Sequence, residues 1–116
     1  MSTKTPECWA SDLKARGLRI ELSPERSLLL PHDQFMFAEL TSNGDEQNLK
    51  LVFAAHEISV RGYHLRRLET VMQRLELSLL AVLPRNQRNL ITEGQPVILE
   101  VSVTEDQDAA KQTKET

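Results

Sequence analysis

Alternating apolar and polar residues recur along most of the chain and predict β-strands. The clearest alternation lies at 97–103, where every second residue is Val or Leu. Alternation also predicts strands at 18–22, 49–54 and 57–61. Short apolar stretches predict two more, at 28–30 before Pro31 and at 34–41. Residues 79–83 are apolar on both faces and stop at Pro84, which is typical of a central strand. A helix start at 31–33 is an alternative for 34–41, but Phe35, Phe37 and the turn residues at 42–45 favour one arm of a hairpin.

One stretch has the period of a helix instead and predicts an amphipathic helix at about 64–77. Its apolar residues recur three and four positions apart and would form one buried stripe: Leu65, Leu68, Met72, Leu75 and Leu79. Gly62 precedes the helix and would supply a positive φ at a sharp reversal out of strand 57–61. If strands 57–61 and 79–83 joined one sheet in parallel, this helix would be a right-handed crossover.

The two ends of the chain differ from its middle. Thr5 and Pro6 form a helix-start signal and Gly17 a stop signal, so we expect a short N-terminal helix from Pro6 to about Arg16. Residues 1–4 and 105–116 are polar and are expected to be disordered, which leaves a single domain at 5–104. The predicted fold is α+β: a mostly antiparallel sheet of about six strands, with the 64–77 helix packed on one face.

Length and cysteine content narrow the class of protein. A chain of 116 residues is long enough for one hydrophobic core without metal or disulfide support. The single cysteine, Cys8, excludes an internal disulfide and favours a reducing compartment, so we expect a cytoplasmic protein. No apolar run approaches the roughly 18 residues of a membrane span, and the N-terminus lacks the apolar core of a signal peptide. The expected partners therefore exclude a membrane.

Charge is unevenly distributed along the chain. The net charge is −3, yet 61–88 carries six arginines and two acidic residues, a local charge of +4. A solvated helix face and loop would explain this cluster. The alternative is an anion-binding surface, and its candidate residues are Arg61, Arg66, Arg67, Arg85 and Arg88. Acidic flanking segments, a pI near 5.6 and few aromatic residues argue against nucleic acid as the partner without excluding it.

The sequence contains no recognisable catalytic set. His56 and Glu57 begin the zinc-peptidase H-E-x-x-H pattern, but Val60 occupies the second histidine position. The three histidines lack the spacing of metal ligands, and no base accompanies Cys8. Three acidic residues, Glu39, Glu57 and Glu100, lie on the expected solvent faces of different strands. We therefore assign no catalytic residue, metal site or cofactor and lean against an enzyme, although an enzyme of unknown class stays an alternative.

Apolar residues on both faces of some strands point to an interaction domain. Ile98 and Val52 lie on the otherwise polar sides of their strands, so a sheet with one covered face would expose them. Strand 97–103 would also need cover if it lay at a sheet edge. We expect a small non-catalytic interaction or scaffold domain that associates with a second copy of itself as a homodimer. Anion binding through the arginines is the first alternative.

Overall fold

The computed structural model describes residues 8–90 and 93–105. Of these residues 57% are in strands and 18% are helical, which makes the fold mostly β. Eight strands form two four-stranded sheets, accompanied by one α-helix. The predicted α+β fold, with one sheet of about six strands, is therefore wrong in class, strand number and sheet number.

The strands in chain order are β1 (Trp9–Ser11), β2 (Gly17–Ser23), β3 (Arg26–Pro31), β4 (Phe35–Asn43), β5 (Glu46–Phe53), β6 (His56–Tyr63), β7 (Leu77–Ala81) and β8 (Val97–Glu105). Helix α1 covers Arg66–Gln73, and two 3-10 helices cover His32–Gln34 and Arg85–Leu90. The first sheet has the order β1-β7-β2-β3 and the second the order β4-β5-β6-β8. Within these sheets, only β2 and β7 pair in parallel.

The connection from β6 to β7 carries the chain from one sheet to the other. Because β6 lies in the second sheet and β7 in the first, α1 is not a crossover between parallel neighbours of one sheet, as the sequence suggested. The predicted strand at 79–83 is confirmed at residues 79–81 and wrong at 82–83, because the strand is Leu77–Ala81. It pairs with β1 and β2. The sequence could not reveal this partner, since an apolar run fits any central position.

The core includes apolar side chains from both sheets. Leu18 and Ile20 come from the first sheet, and Leu51 and Ile58 come from opposite positions of the second; all four are fully buried. Full burial of each such side chain contributes about 1.5–3 kcal/mol. Ile98 is fully buried as well, because the register shift between β6 and β8 places it opposite Gly62. Of the two apolar residues expected on polar strand faces, Ile98 is thus buried through this register shift, whereas Val52 is half-buried.

Helix α1 is shorter than predicted at both ends. Leu65, Leu68 and Met72 are buried as the stripe predicted, but Leu75 is 42% exposed. Leu75 has φ of 57°, its N–H donates to the Met72 carbonyl at 2.8 Å, and the Glu76 N–H donates to the Val71 carbonyl at 3.1 Å. This pattern is a Schellman-type helix end, in which the residue that is usually glycine is leucine here. The stripe prediction was therefore wrong at Leu75.

Gly62 serves a different purpose from the predicted one. It lies within β6, and the positive φ before the helix belongs to His64, at 57°. A Cβ at position 62 would overlap the Val97 carbonyl oxygen, so the glycine permits the close approach of β8. The Leu65 N–H at the start of the helix donates to Oε1 of Gln47 at 2.6 Å, which satisfies one of its free donors.

The predicted N-terminal helix is wrong within the described residues. Trp9–Ser11 forms β1, in which Trp9 lies opposite Leu80 of β7. The Arg67 guanidinium lies 5.8 Å from the centre of the Trp9 ring. Leu13, which lies four residues after Trp9 and would be on the same face of a helix, is exposed. Two apolar residues were too few to hold a helix, whereas pairing with β7 satisfies backbone groups of both strands.

The ends of the chain were expected to be disordered. Strand β8 continues through Glu105, one residue into the segment expected to be disordered. The remaining tail and residues 1–4 lie outside the described residues. Leu90, at the end of the second 3-10 helix, is exposed.

Candidate interaction edge at strand β4

Strand β4 ends the second sheet, and in the described part of the chain β5 is its only strand partner. The two strands form a hairpin in which Asn43 lies opposite Glu46 and the two residues between them make the turn. Gly44 in this turn has φ of 68°, a conformation that glycine adopts without a Cβ clash. The hairpin thus fixes the register of β4 up to its last residue.

That register also determines which backbone groups of β4 face away from β5. The two residues that flank a two-residue hairpin turn exchange hydrogen bonds, and this orientation alternates along an antiparallel pair. Asn43, Thr41 and Glu39 therefore direct their N–H and C=O groups toward β5. Ala38, Leu40 and Ser42 direct theirs away from it. Among the described residues, no backbone group outside the β4–β5 pair bonds to these three. We call them the free edge of β4.

Large apolar side chains are exposed next to this free edge. The register shifts between Phe35 and Phe37, so the intervening Met36 is a bulge residue. Met36 is 64% exposed and Phe37 is 52% exposed. Phe35 instead packs edge-on against Phe53, with 5.5 Å between ring centres. The start of β4 therefore combines an unpaired backbone edge with two solvent-exposed apolar side chains.

An open cleft of about 350 Å³ adjoins the same strand. It lies between β4 and α1 and is lined by Phe35, Ala38, Glu69 and Gln73. Glu69 is the only carboxylate among these four and lies 3.7 Å from the guanidinium of Arg66. These four lining residues include no nucleophile and no second titratable group.

Strand β8, the strand expected to pair with another chain, is the opposite end of this sheet. Near its start the Leu83 N–H donates to the Ile98 carbonyl at 3.0 Å, which covers part of that edge. Over its described length β8 exposes no large apolar side chain. Of the two edges of this sheet, β4 is therefore the one that exposes large apolar side chains. The sequence contained one signal for it, the consecutive apolar residues 35–37 before a hairpin turn, but that signal does not show which side of the strand is free.

The five arginines predicted to bind anions lie on three elements. Arg61 is on β6, Arg66 and Arg67 are on α1, and Arg85 and Arg88 are on the second 3-10 helix. Arg61 donates to Glu100 at 3.0 Å and to Glu46 at 3.0 Å. The hydrogen bond to Glu100 and the charge of Glu46 raise the pKa of Arg61 above its ordinary value. Arg88 donates to the Leu83 carbonyl at 3.2 Å. The anion-binding set stays a prediction, in which Arg61 already has two carboxylate partners.

Some titratable side chains elsewhere have structural partners. Glu39 lies 3.6 Å from the Lys50 ammonium, and the three acids noted in the sequence lie on β4, β6 and β8. His32 is buried, with Nε2 at 2.7 Å from the Leu77 carbonyl oxygen and Nδ1 without a partner. Burial raises the pKa of the Cys8 thiol, which donates to the Pro96 carbonyl at 3.5 Å. Within residues 8–90 and 93–105, no three His, Cys, Asp or Glu side chains are grouped as metal ligands.

No protein family, curated protein or solved structure matches this chain. None of the helices in the described ranges has the length and apolar character needed to cross a membrane.

Proposed function

We propose that this protein is a non-catalytic interaction domain that accepts a β-strand from a partner chain along β4. The observation that supports it is the free edge of Ala38, Leu40 and Ser42 beside the exposed Met36 and Phe37. Strand addition uses backbone hydrogen bonds for affinity and neighbouring side-chain contacts for selectivity. A cytoplasmic location, as the single cysteine suggests, is part of the proposal.

Binding of a strand requires both the backbone hydrogen bonds of the free edge and the burial of the exposed apolar side chains. Each backbone hydrogen bond contributes about 0.5–1.5 kcal/mol net, because the groups exchange water for protein. Covering a Met or Phe side chain fully contributes about 1.5–3 kcal/mol, and Met36 and Phe37 are already partly covered, so their share is smaller. Association itself costs about 4–15 kcal/mol. We therefore expect binding only when the added strand pairs with the free edge and also covers the apolar side chains.

Two substitutions at one position separate the backbone contribution from the side-chain contribution. Leu40→Pro removes an N–H that faces away from β5, so the hairpin keeps its own hydrogen bonds. Leu40→Ala also shortens the side chain but keeps the N–H, which makes it the matched control. The probe is a synthetic peptide of alternating valine and threonine, which is a strand-forming sequence unrelated to β4, with flanking lysines for solubility. Its binding is measured by fluorescence anisotropy.

We expect the peptide to bind the unchanged protein and Leu40→Ala, and not Leu40→Pro. Circular dichroism and thermal unfolding of all three proteins verify that each is folded. Equal binding to Leu40→Ala and Leu40→Pro would show that the backbone edge is not the binding surface, and no binding to any of them would refute strand addition.

Anion binding is the second candidate, because the side chain of Arg66 is 74% exposed and its guanidinium can reach a phosphate. Arg66 and Arg67 are neighbours on α1, so the double substitution Arg66→Glu, Arg67→Glu reverses the local charge. Retention of the unchanged protein on heparin at low salt, lost in this variant, would support the candidate. No retention of the unchanged protein would remove it.

A further inference from the structure

We infer that the strand accepted by β4 is β4 of a second copy, paired antiparallel about a two-fold axis at Leu40. This inference rests on the proposed function and specifies its partner. The resulting homodimer would join the two β4-containing sheets into one continuous sheet of eight strands, and the interface would be the same in both subunits.

The free edge itself selects this axis. Ala38, Leu40 and Ser42 are spaced evenly, so a two-fold axis at Leu40 places Ala38 opposite Ser42 of the second copy and Leu40 opposite its own counterpart. Each such pair exchanges two hydrogen bonds, and three pairs give about six. Every outward N–H and C=O group of the regular part of β4, residues 37–43, then has a partner.

Two-fold axes at Glu39 or Ala38, and shifts by one residue, would give less favourable strand pairing. An axis at Glu39 sets the two Glu39 carboxylates directly opposite, which is destabilising, and leaves Ser42 without a partner. An axis at Ala38 requires Leu40 to pair with Met36, which is the bulge residue. If odd-numbered residues of one copy paired with even-numbered residues of the other, the core-facing side chains of one copy would lie on the solvent side of the joined sheet. The axis at Leu40 avoids all three problems.

Side chains in this register are compatible on both faces of the sheet. On the core-facing side, half-buried Leu40 meets its counterpart, which covers part of its remaining surface. On the outer side, Glu39 lies opposite Thr41 and keeps its own Lys50 neighbour at 3.6 Å. Phe37 lies opposite Asn43, so that each copy covers one exposed ring of the other. No like charges are directly opposed.

Disulfide trapping tests the axis because the natural thiol can be removed. In a Cys8→Ala background, Leu40→Cys introduces a thiol on the axis, where the two Cα atoms would be about 5.5 Å apart, within the range of a disulfide. Ser42→Cys is the matched control on the same strand and the same sheet face. Its two copies would be at least about 13 Å apart, because each lies opposite Ala38, four residues along the strand.

We expect mild oxidation to convert most of the Leu40→Cys protein to a covalent dimer and to leave Ser42→Cys monomeric on a non-reducing gel. A mixture of Glu39→Cys and Thr41→Cys proteins should form mixed disulfides, and this pair avoids changing a half-buried residue. Sedimentation of the unchanged protein at micromolar concentration should give a dimer.

Two results would overturn the inference in different ways. Cross-linking at Ser42→Cys and not at Leu40→Cys would refute the register. A monomer in sedimentation and no cross-link at any of the four positions would refute self-pairing. In that second case, peptide binding that is sensitive to Leu40→Pro would still support strand addition from a different partner, so the two proposals can fail separately.

Discussion

Replacing Gly62 with alanine tests the close packing of β6 against β8. Gly62 pairs with Ile98, and a Cβ at position 62 would overlap the Val97 carbonyl oxygen and lie 3.2 Å from the Ile98 Cα. Both neighbours are backbone atoms, so no side-chain rotation relieves the clash. The two strands would have to separate locally, which would also disturb the fully buried Ile98.

The expected cost follows from these contacts. Overpacking a close-packed site costs typically about 1–3 kcal/mol. Separation of the strands would weaken about two backbone hydrogen bonds as well, at about 1 kcal/mol each. We therefore expect Gly62→Ala to lower the free energy of unfolding by about 3–5 kcal/mol. For a domain of this size, each 1 kcal/mol corresponds to about 4–8 °C in Tm.

Gly44→Ala is the matched control for this experiment. A Cβ at position 44 would have no heavy atom within 4 Å, but the residue has φ of 68°. An alanine there pays about 1–2 kcal/mol for the left-handed conformation, partly offset by the lower entropy of the unfolded chain. Urea titrations of both variants give the comparison. If Gly62→Ala were no more destabilising than Gly44→Ala, the contact between Gly62 and Val97 would not be the close packing described above.

Two further predictions use the core and the buried thiol. Leu68→Ala should lower the free energy of unfolding by about 2–5 kcal/mol because Leu68 is fully buried. Leu75→Ala should lower it by less than about 1 kcal/mol because Leu75 is partly exposed. Equal losses in a urea titration would contradict the assigned helix face. Burial raises the pKa of Cys8 above its ordinary value of 9.0, so its contribution to stability is complete below that pH and is lost as pH rises through the higher folded-state pKa. The unchanged protein should therefore lose more stability between pH 8 and about 10.5 than Cys8→Ala, and parallel pH profiles of the two proteins would disprove this.

Local patterns in the sequence determined most of the individual elements. The alternation at 97–103 corresponds to β8, and the helical spacing of Leu65, Leu68 and Met72 identified a helix whose buried face is correct there. The choice of strand over helix for 34–41 is confirmed by β4. These features depend on the geometry of one segment, whose period follows directly from strand or helix backbone.

Contacts between segments far apart in the chain decided the number of sheets, the formation of β1 and the role of Gly62. Whether the strands form one sheet or two depends on which edges meet, and residues that are apolar on both faces fit either arrangement. Strand β1 is only three residues long, which is too short to show an alternating pattern, and it pairs with β7, about 70 positions later in the chain. Gly62 looked like a turn residue because its real neighbour, Val97, lies about 35 positions later in the chain.

The candidate interaction edge is also determined partly by the sequence and partly by the tertiary structure. The apolar residues of β4 and the hairpin turn that follows are visible in the sequence, and the turn alone fixes which backbone groups face β5. That no further strand lies on the other side is a property of the sheet order in the described residues. A strand has identical backbone donors and acceptors on both edges, so only the placement of its neighbours determines which of them are free to bind another chain.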